Sequence, residues 1–214
     1  MMSDDCKQIY LDAYEKFNAG DFEGAFELGK KCLAATAPDT YYRYGTLGLL
    51  CWCSNFMLNN SDVEIYANKL IALDTGGDKP WYDGLARFNL GLKCRRNNRL
   101  SEARRYFTRA SENYAAFRPS PEQPPEWTAI NRFFTAVTGA AAADDPTPLK
   151  KLAEDLDIFT SRENEIVQLR RAVPLNIRYI EGESVLSEAQ QAAEEGVSPT
   201  FLALILLCVK HIVL

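Results

Sequence analysis

The chain has 214 residues, of which 24 are Lys or Arg, 29 are Asp or Glu, one is His and six are Cys. A net charge of −5 with 47% hydrophobic and 25% charged residues is an ordinary globular balance, which excludes wholesale disorder and gives no electrostatic case for a nucleic-acid binder. The lone His211 excludes a two-histidine metal site and a mid-chain histidine relay.

The opening Met1-Met2-Ser3-Asp4-Asp5 lacks the basic start and apolar core of a secretory signal. No stretch reaches the roughly 20 apolar residues of a membrane span. The six cysteines are scattered, mostly through apolar patterns, and read as small buried hydrophobes. A cytoplasmic protein with no membrane association is expected.

Helical periodicity dominates, and no alternating strand with a hairpin turn is found. Ile9, Tyr10, Ala13, Tyr14 and Phe17 share one face of a first helix, which Gly20 ends. Phe22, Ala25, Phe26, Cys32 and Leu33 stripe a second. Pro38-Asp39-Thr40 starts a third over 41–58, broken at Asn59-Asn60. Ser61-Asp62 begins a fourth over 63–73, and a loop follows over 75–80. A fifth helix is predicted over 81–96, and Ser101 is read as the cap of a sixth over 102–117.

Residues 7–118 thus form three helix-turn-helix pairs with a common signature. Leu90-Gly91, Ala103, Phe107 and Ala110 mark the third pair. Ala13, Gly20, Ala25 and Cys32-Leu33 mark the first. Small residues let two antiparallel helices approach, and large ones (Phe22, Leu100, Phe107) wedge between pairs. A lone pair cannot bury its apolar face, so pairs stack. This pattern resembles the tetratricopeptide repeat (TPR) over about half the chain. Ala25 and Ala103 lie 39 residues apart per repeat, against about 34 in the family, so the linkers are longer. Gly29 stands where the family usually has an aromatic, and Arg87 where it prefers Trp. The resemblance implies an all-α, right-handed superhelical stack of antiparallel helix pairs.

The four prolines within 119–125 mark a connector. A helix over 126–143 follows, then a break at Asp144-Asp145-Pro146. Further helices are predicted over 149–159, 162–173, 175–195 and 199–214. They form a C-terminal extension, either a cap or degenerate repeats. The all-apolar run 201–209 must be buried: as core, as a plug of the groove, or as a homodimer contact.

The resemblance implies that the first helix of each pair lines a concave groove. Its side chains would be Lys7, Tyr10, Tyr14 and Phe17, then Leu47, Leu50 and Ser54, then Leu85, Phe88, Leu92 and Arg95. These are mostly aromatic and aliphatic, unlike the family's carboxylate clamp of Lys, Asn and Arg, so an apolar protein or peptide segment is the expected ligand. Arg95 and Arg96 would orient an acidic group at the rim. A basic patch, Arg96, Arg99, Arg104, Arg105 and Arg109, is an anionic docking site or, more commonly for such runs, a solvated face.

Cys51-x-Cys53 has no completing pair or nearby His, and residues two apart diverge on a helix, so no metal and no cofactor is expected. Asp74-Thr75-Gly76 matches the aspartic-protease triplet only once, in a helix–helix loop, and chance explains it. A hydrolase built on an acidic pair has no supporting motif. The expected function is therefore a non-catalytic scaffold or adaptor. A self-associating module using the C-terminal helix is the alternative.

Overall fold

The computed structural model describes residues 4–36, 41–120, 126–158 and 164–207. The described residues are helical with no strand. The elements are α1 (Asp4–Asn18), α2 (Phe22–Ala35), α3 (Tyr41–Phe56), α4 (Asn60–Ala72), α5 (Lys79–Arg96) and α6 (Leu100–Ala116). There follow α7 (Glu126–Ala143), α8 (Thr147–Ile158), α9 (Asn164–Ile180), α10 (Leu186–Glu194) and α11 (Ala203–Leu206). Helices pack in chain order from α1 to α9, and α3 also touches α1 and α5.

One turn recurs between paired helices. Gly20, Leu58, Asn98, Asp144 and Gly182 all have positive φ, and each sits between the two helices of a pair. A backbone bond from the following N–H back to the preceding helix closes each turn: Asp21 to Lys16 at 2.9 Å, Asn59 to Ser54 at 2.8 Å, Arg99 to Cys94 at 2.8 Å, Asp145 to Ala140 at 3.1 Å and Glu183 to Arg178 at 2.9 Å. This is the Schellman closure of a helix C-terminus. The sequence pattern traced pairs only to residue 118, and the same turn also joins α7 to α8 and α9 to α10.

The small-against-large reading holds in part: Leu100, read as a wedge between pairs, is 54% exposed, and Phe107 packs within its own pair. A Cβ on Gly91 would lie 2.5 Å from Phe107 Cε1, so α5 and α6 meet at a distance only glycine permits. Gly29 likewise faces Leu50, with 3.0 Å to its Cδ2 from an added Cβ. Glycine at this position thus permits close contact of α2 with α3.

Several boundaries differ from expectation. The helix predicted over 175–195 is broken between α9 and α10 by the turn at Gly182, and the described part of that predicted over 199–214 is a 3-10 turn followed by the short α11. α4 begins at Asn60 because Asn59 caps it, accepting the Asp62 N–H at 3.2 Å, so Ser61 lies inside the helix. α6 begins at Leu100, and Ser101 is not its cap. α9 runs through Pro174, where a break was predicted. Proline fits helical φ and costs one backbone bond, and the buried stripe Ile166, Leu169, Ala172, Val173, Asn176 and Tyr179 holds the helix together.

A single hydrophobic cluster extends from Ala13 to Leu207. Trp81 ties the two sides of the proline connector together, with ring centroids 5.2 Å from Tyr114, 5.1 Å from Trp127 and 5.7 Å from Phe134. Residues 201–205 and Leu207 are buried in this core. Phe201 lies 5.3 Å from Phe133, ring to ring, and its carbonyl accepts the Asn176 amide at 2.9 Å. The described part of the C-terminal run is therefore packed into the chain's own core. Residues 208–214 lie outside the described residues.

Candidate functional site

The inner sides of the odd-numbered helices face a shared groove of about 610 Å³. α1 supplies Tyr10, Leu11 and Tyr14, and α3 supplies Gly45, Gly48, Leu49 and Trp52. α5 adds Trp81, Tyr82 and Leu85, and α7 adds Trp127, Ile130 and Phe134. Asn164, Glu165 and Gln168 of α9 close one side, together with Ser198, Thr200 and Phe201. All three tryptophans of the chain line it.

Local geometry explains the floor. The Tyr10 hydroxyl would lie 2.5 Å from a Cβ on Gly45, so glycine there lets Tyr10 lie flat against α3. Tyr10 is further fixed by ring contacts with Tyr14 at 5.3 Å and Tyr42 at 5.5 Å. Gly48 stands against Leu85, keeping α3 and α5 close. Gln168 accepts the Ser198 N–H at 2.8 Å and pins the turn that carries Phe201. Leu11 and Tyr14 remain 46% and 39% exposed, which leaves apolar surface open at the groove mouth.

Of the groove residues named from sequence, Tyr10, Tyr14 and Leu85 line it. Phe17, Leu47, Leu50, Phe88 and Leu92 are not among its lining residues, and all five are buried in the core at 1% exposure or less. Ser54 is also buried, donating to the Leu50 carbonyl at 2.7 Å, and Lys7 is exposed outside the lining. The inner helices are apolar on several faces, because each is covered by its own partner and by the next pair. Helical period alone cannot tell the groove stripe from the core stripe. Leu11, Trp52, Trp81, Tyr82, Trp127, Ile130 and Phe134 were missed for that reason. The concentration of Trp and Gly on α3 and α5 was the available signal.

The arginines are placed elsewhere. Arg96 is buried, donating to Asn60 Oδ1 at 2.6 Å and Asn55 Oδ1 at 3.1 Å. Asn55 in turn donates to Asn89 Oδ1 at 2.7 Å and to its carbonyl at 3.1 Å, joining α3 to α5. Arg95 stacks over Tyr179, 5.7 Å from the ring centroid, and reaches Asp144 at 3.7 Å. Neither is in the groove, so neither can orient an acidic group there.

Three more arginines of the basic run pair with acids. Arg99 pairs with Glu102, Arg109 with Glu112 at 3.0 Å and Arg104 with Asp144 at 2.6 Å. Arg87, Arg104, Arg105 and Arg109 border a second depression of about 530 Å³ that also contains Glu102 and Glu112. This is a mixed-charge exposed surface, and Arg96 does not belong to it.

No protein-family model, curated protein or solved structure matches the chain. The geometry of the groove alone therefore carries the functional conclusion.

Cys51 and Cys53 are fully buried on α3, and burial pushes both thiols up, that of Cys53 to about 12. Among the described residues no group of three His, Cys, Asp or Glu side chains could hold a metal ion, and no helix is long and apolar enough to cross a membrane.

Proposed function

We propose that the chain is a protein-interaction scaffold whose aromatic groove takes an apolar segment of a partner protein. The observation that carries this is the groove itself: a lining of Trp, Tyr, Phe, Leu and Ile drawn from four successive odd-numbered helices, with Leu11 and Tyr14 left exposed at its mouth. Large rigid aromatics are the usual anchors of protein recognition. A trough built across several helices suits a length of chain laid along it, in the manner of a helix or extended strand in a groove.

We further infer that the helix pairs stack as a TPR-like superhelix with α1, α3, α5 and α7 inside. Contacts of α3 with α1 and α5, and the repeated left-handed turn, support that arrangement. It would make the protein a non-catalytic adaptor of the cytoplasm.

The test is calorimetric titration with a short neutral amphipathic peptide of leucine and serine. The native chain should bind it, and Leu11→Asp with Tyr14→Asp should abolish binding. Both residues are exposed, so helical circular dichroism should not change. Equal binding by the native and doubly substituted chains would place the ligand elsewhere.

A further inference from the structure

The groove has a charge sign, and it is opposite to the one the arginine run suggests. Among the described residues its lining includes no Lys, Arg or His, and the one charged side chain there is Glu165. That carboxylate lies in the first turn of α9, where the helix N-terminus favours a negative charge. It is half-buried and forms no ion pair with another described residue. The side-chain amides of Asn164 and Gln168 share the lining with it, the Gln168 oxygen already accepting the Ser198 N–H. Trp52, Trp81, Trp127 and Tyr14 share the same lining, and the π-electron density of an aromatic face attracts cations and repels carboxylates. Arg95 and Arg96, the two groups that could have reversed this, are held by Asp144 and Tyr179 and by Asn55 and Asn60.

We propose that the segment seated in this groove is a cationic amphipathic one, with apolar side chains against the aromatic walls and a Lys or Arg side chain directed at Glu165. This rests on the groove-binding reading above and adds the sign of the ligand. An acidic segment would bring its carboxylates against Glu165 and the aromatic lining with no cation among the described lining residues to neutralise them. A neutral segment would leave Glu165 desolvated and unpaired, a cost that a partner cation removes.

The experiment uses the full chain and three matched amphipathic peptides, leucine with lysine, with serine and with glutamate. Tryptophan emission is the readout, since every tryptophan lines the groove. The expected order of affinity is lysine, then serine, then glutamate. Glu165→Gln should weaken the lysine peptide about fivefold, as removal of a partly exposed ion pair does, and leave the serine peptide unchanged. Glu165→Lys should reverse the order of the charged peptides. Glu194→Gln, which removes an acid outside the groove, should change nothing and so separates the site from attraction to the chain's net charge of −5. If the serine and lysine peptides bind equally and Glu165→Gln has no effect, the charge preference is wrong and the groove reading stands. If no peptide alters the emission, both fail.

Discussion

The Arg96 guanidinium donates to Asn60 Oδ1 at 2.6 Å from a position only 6% exposed. A residue that in sequence looks like part of a basic surface is therefore a strut between α5 and the α3–α4 turn. Arg96→Met keeps the apolar stem and removes the guanidinium hydrogen bonds to Asn55 and Asn60. It leaves Asn55 Oδ1 without its donor, and a stability loss of about 3 kcal/mol is expected in denaturant unfolding. Arg96→Lys should recover only part of it, because one ammonium cannot reproduce the guanidinium fork. Ligand affinity of the folded fraction should not change, which a groove residue would not permit.

The approach of α5 to α6 depends on Gly91. Gly91→Ala places a Cβ 2.5 Å from the ring of Phe107, itself fully buried. Alanine is the better helix former by about 1 kcal/mol, but the clash outweighs this, and a net loss of about 2 kcal/mol is expected in the same assay. Gly77→Ala is the control. Its Cβ would meet nothing within 4 Å, and it should be neutral or stabilising by up to about 1 kcal/mol.

The recurring turn can be tested at Gly20, where φ is +81° and an added Cβ would meet no neighbour. Any cost of Gly20→Ala is then one of backbone conformation alone, about 1 kcal/mol. Asn98→Gly, at φ +56° in the corresponding turn of the third pair, should relieve strain and raise the midpoint slightly.

Acid stability follows from the capping carboxylates. The Lys16 ammonium and the Gly24 N–H hold the Asp21 carboxyl below its usual range, and the Arg99 guanidinium does the same to Glu102. A carboxyl depressed in the folded state stabilises it above the unfolded value, and this is lost as pH falls through the folded value. Stability should thus be flat near neutrality and fall below about pH 4. Asp21→Asn should be less stable than the native chain at pH 7, with the difference narrowing in acid. A difference that widens as pH falls would contradict the assignment.

Much of the fold was legible because helix-forming period, capping residues and small-against-large pairs are local signals. Gly91 against Phe107 and the turn at Gly20 were both readable, and α7 spans 126–143 as predicted. The site was less so. Tyr10 and Phe17 share one apolar stripe, yet Tyr10 lines the groove while Phe17 is enclosed by Phe22 and Phe56, its ring 5.3 and 5.8 Å from theirs. That difference is set in part by Phe56, which lies on another helix far along the chain. The charge of the groove depended on Glu165, which belongs to the last groove-lining helix in the chain, and a residue so distant in sequence carries no local mark of its place.

The most direct measurement is fluorine NMR of the chain labelled with 5-fluorotryptophan. Trp52, Trp81 and Trp127 give three resonances, and all three side chains line the groove. On addition of the leucine–lysine peptide all three should shift together and saturate at one concentration, and Leu11→Asp with Tyr14→Asp should suppress the shifts. Binding that leaves the three resonances in place would contradict the groove as the site of recognition.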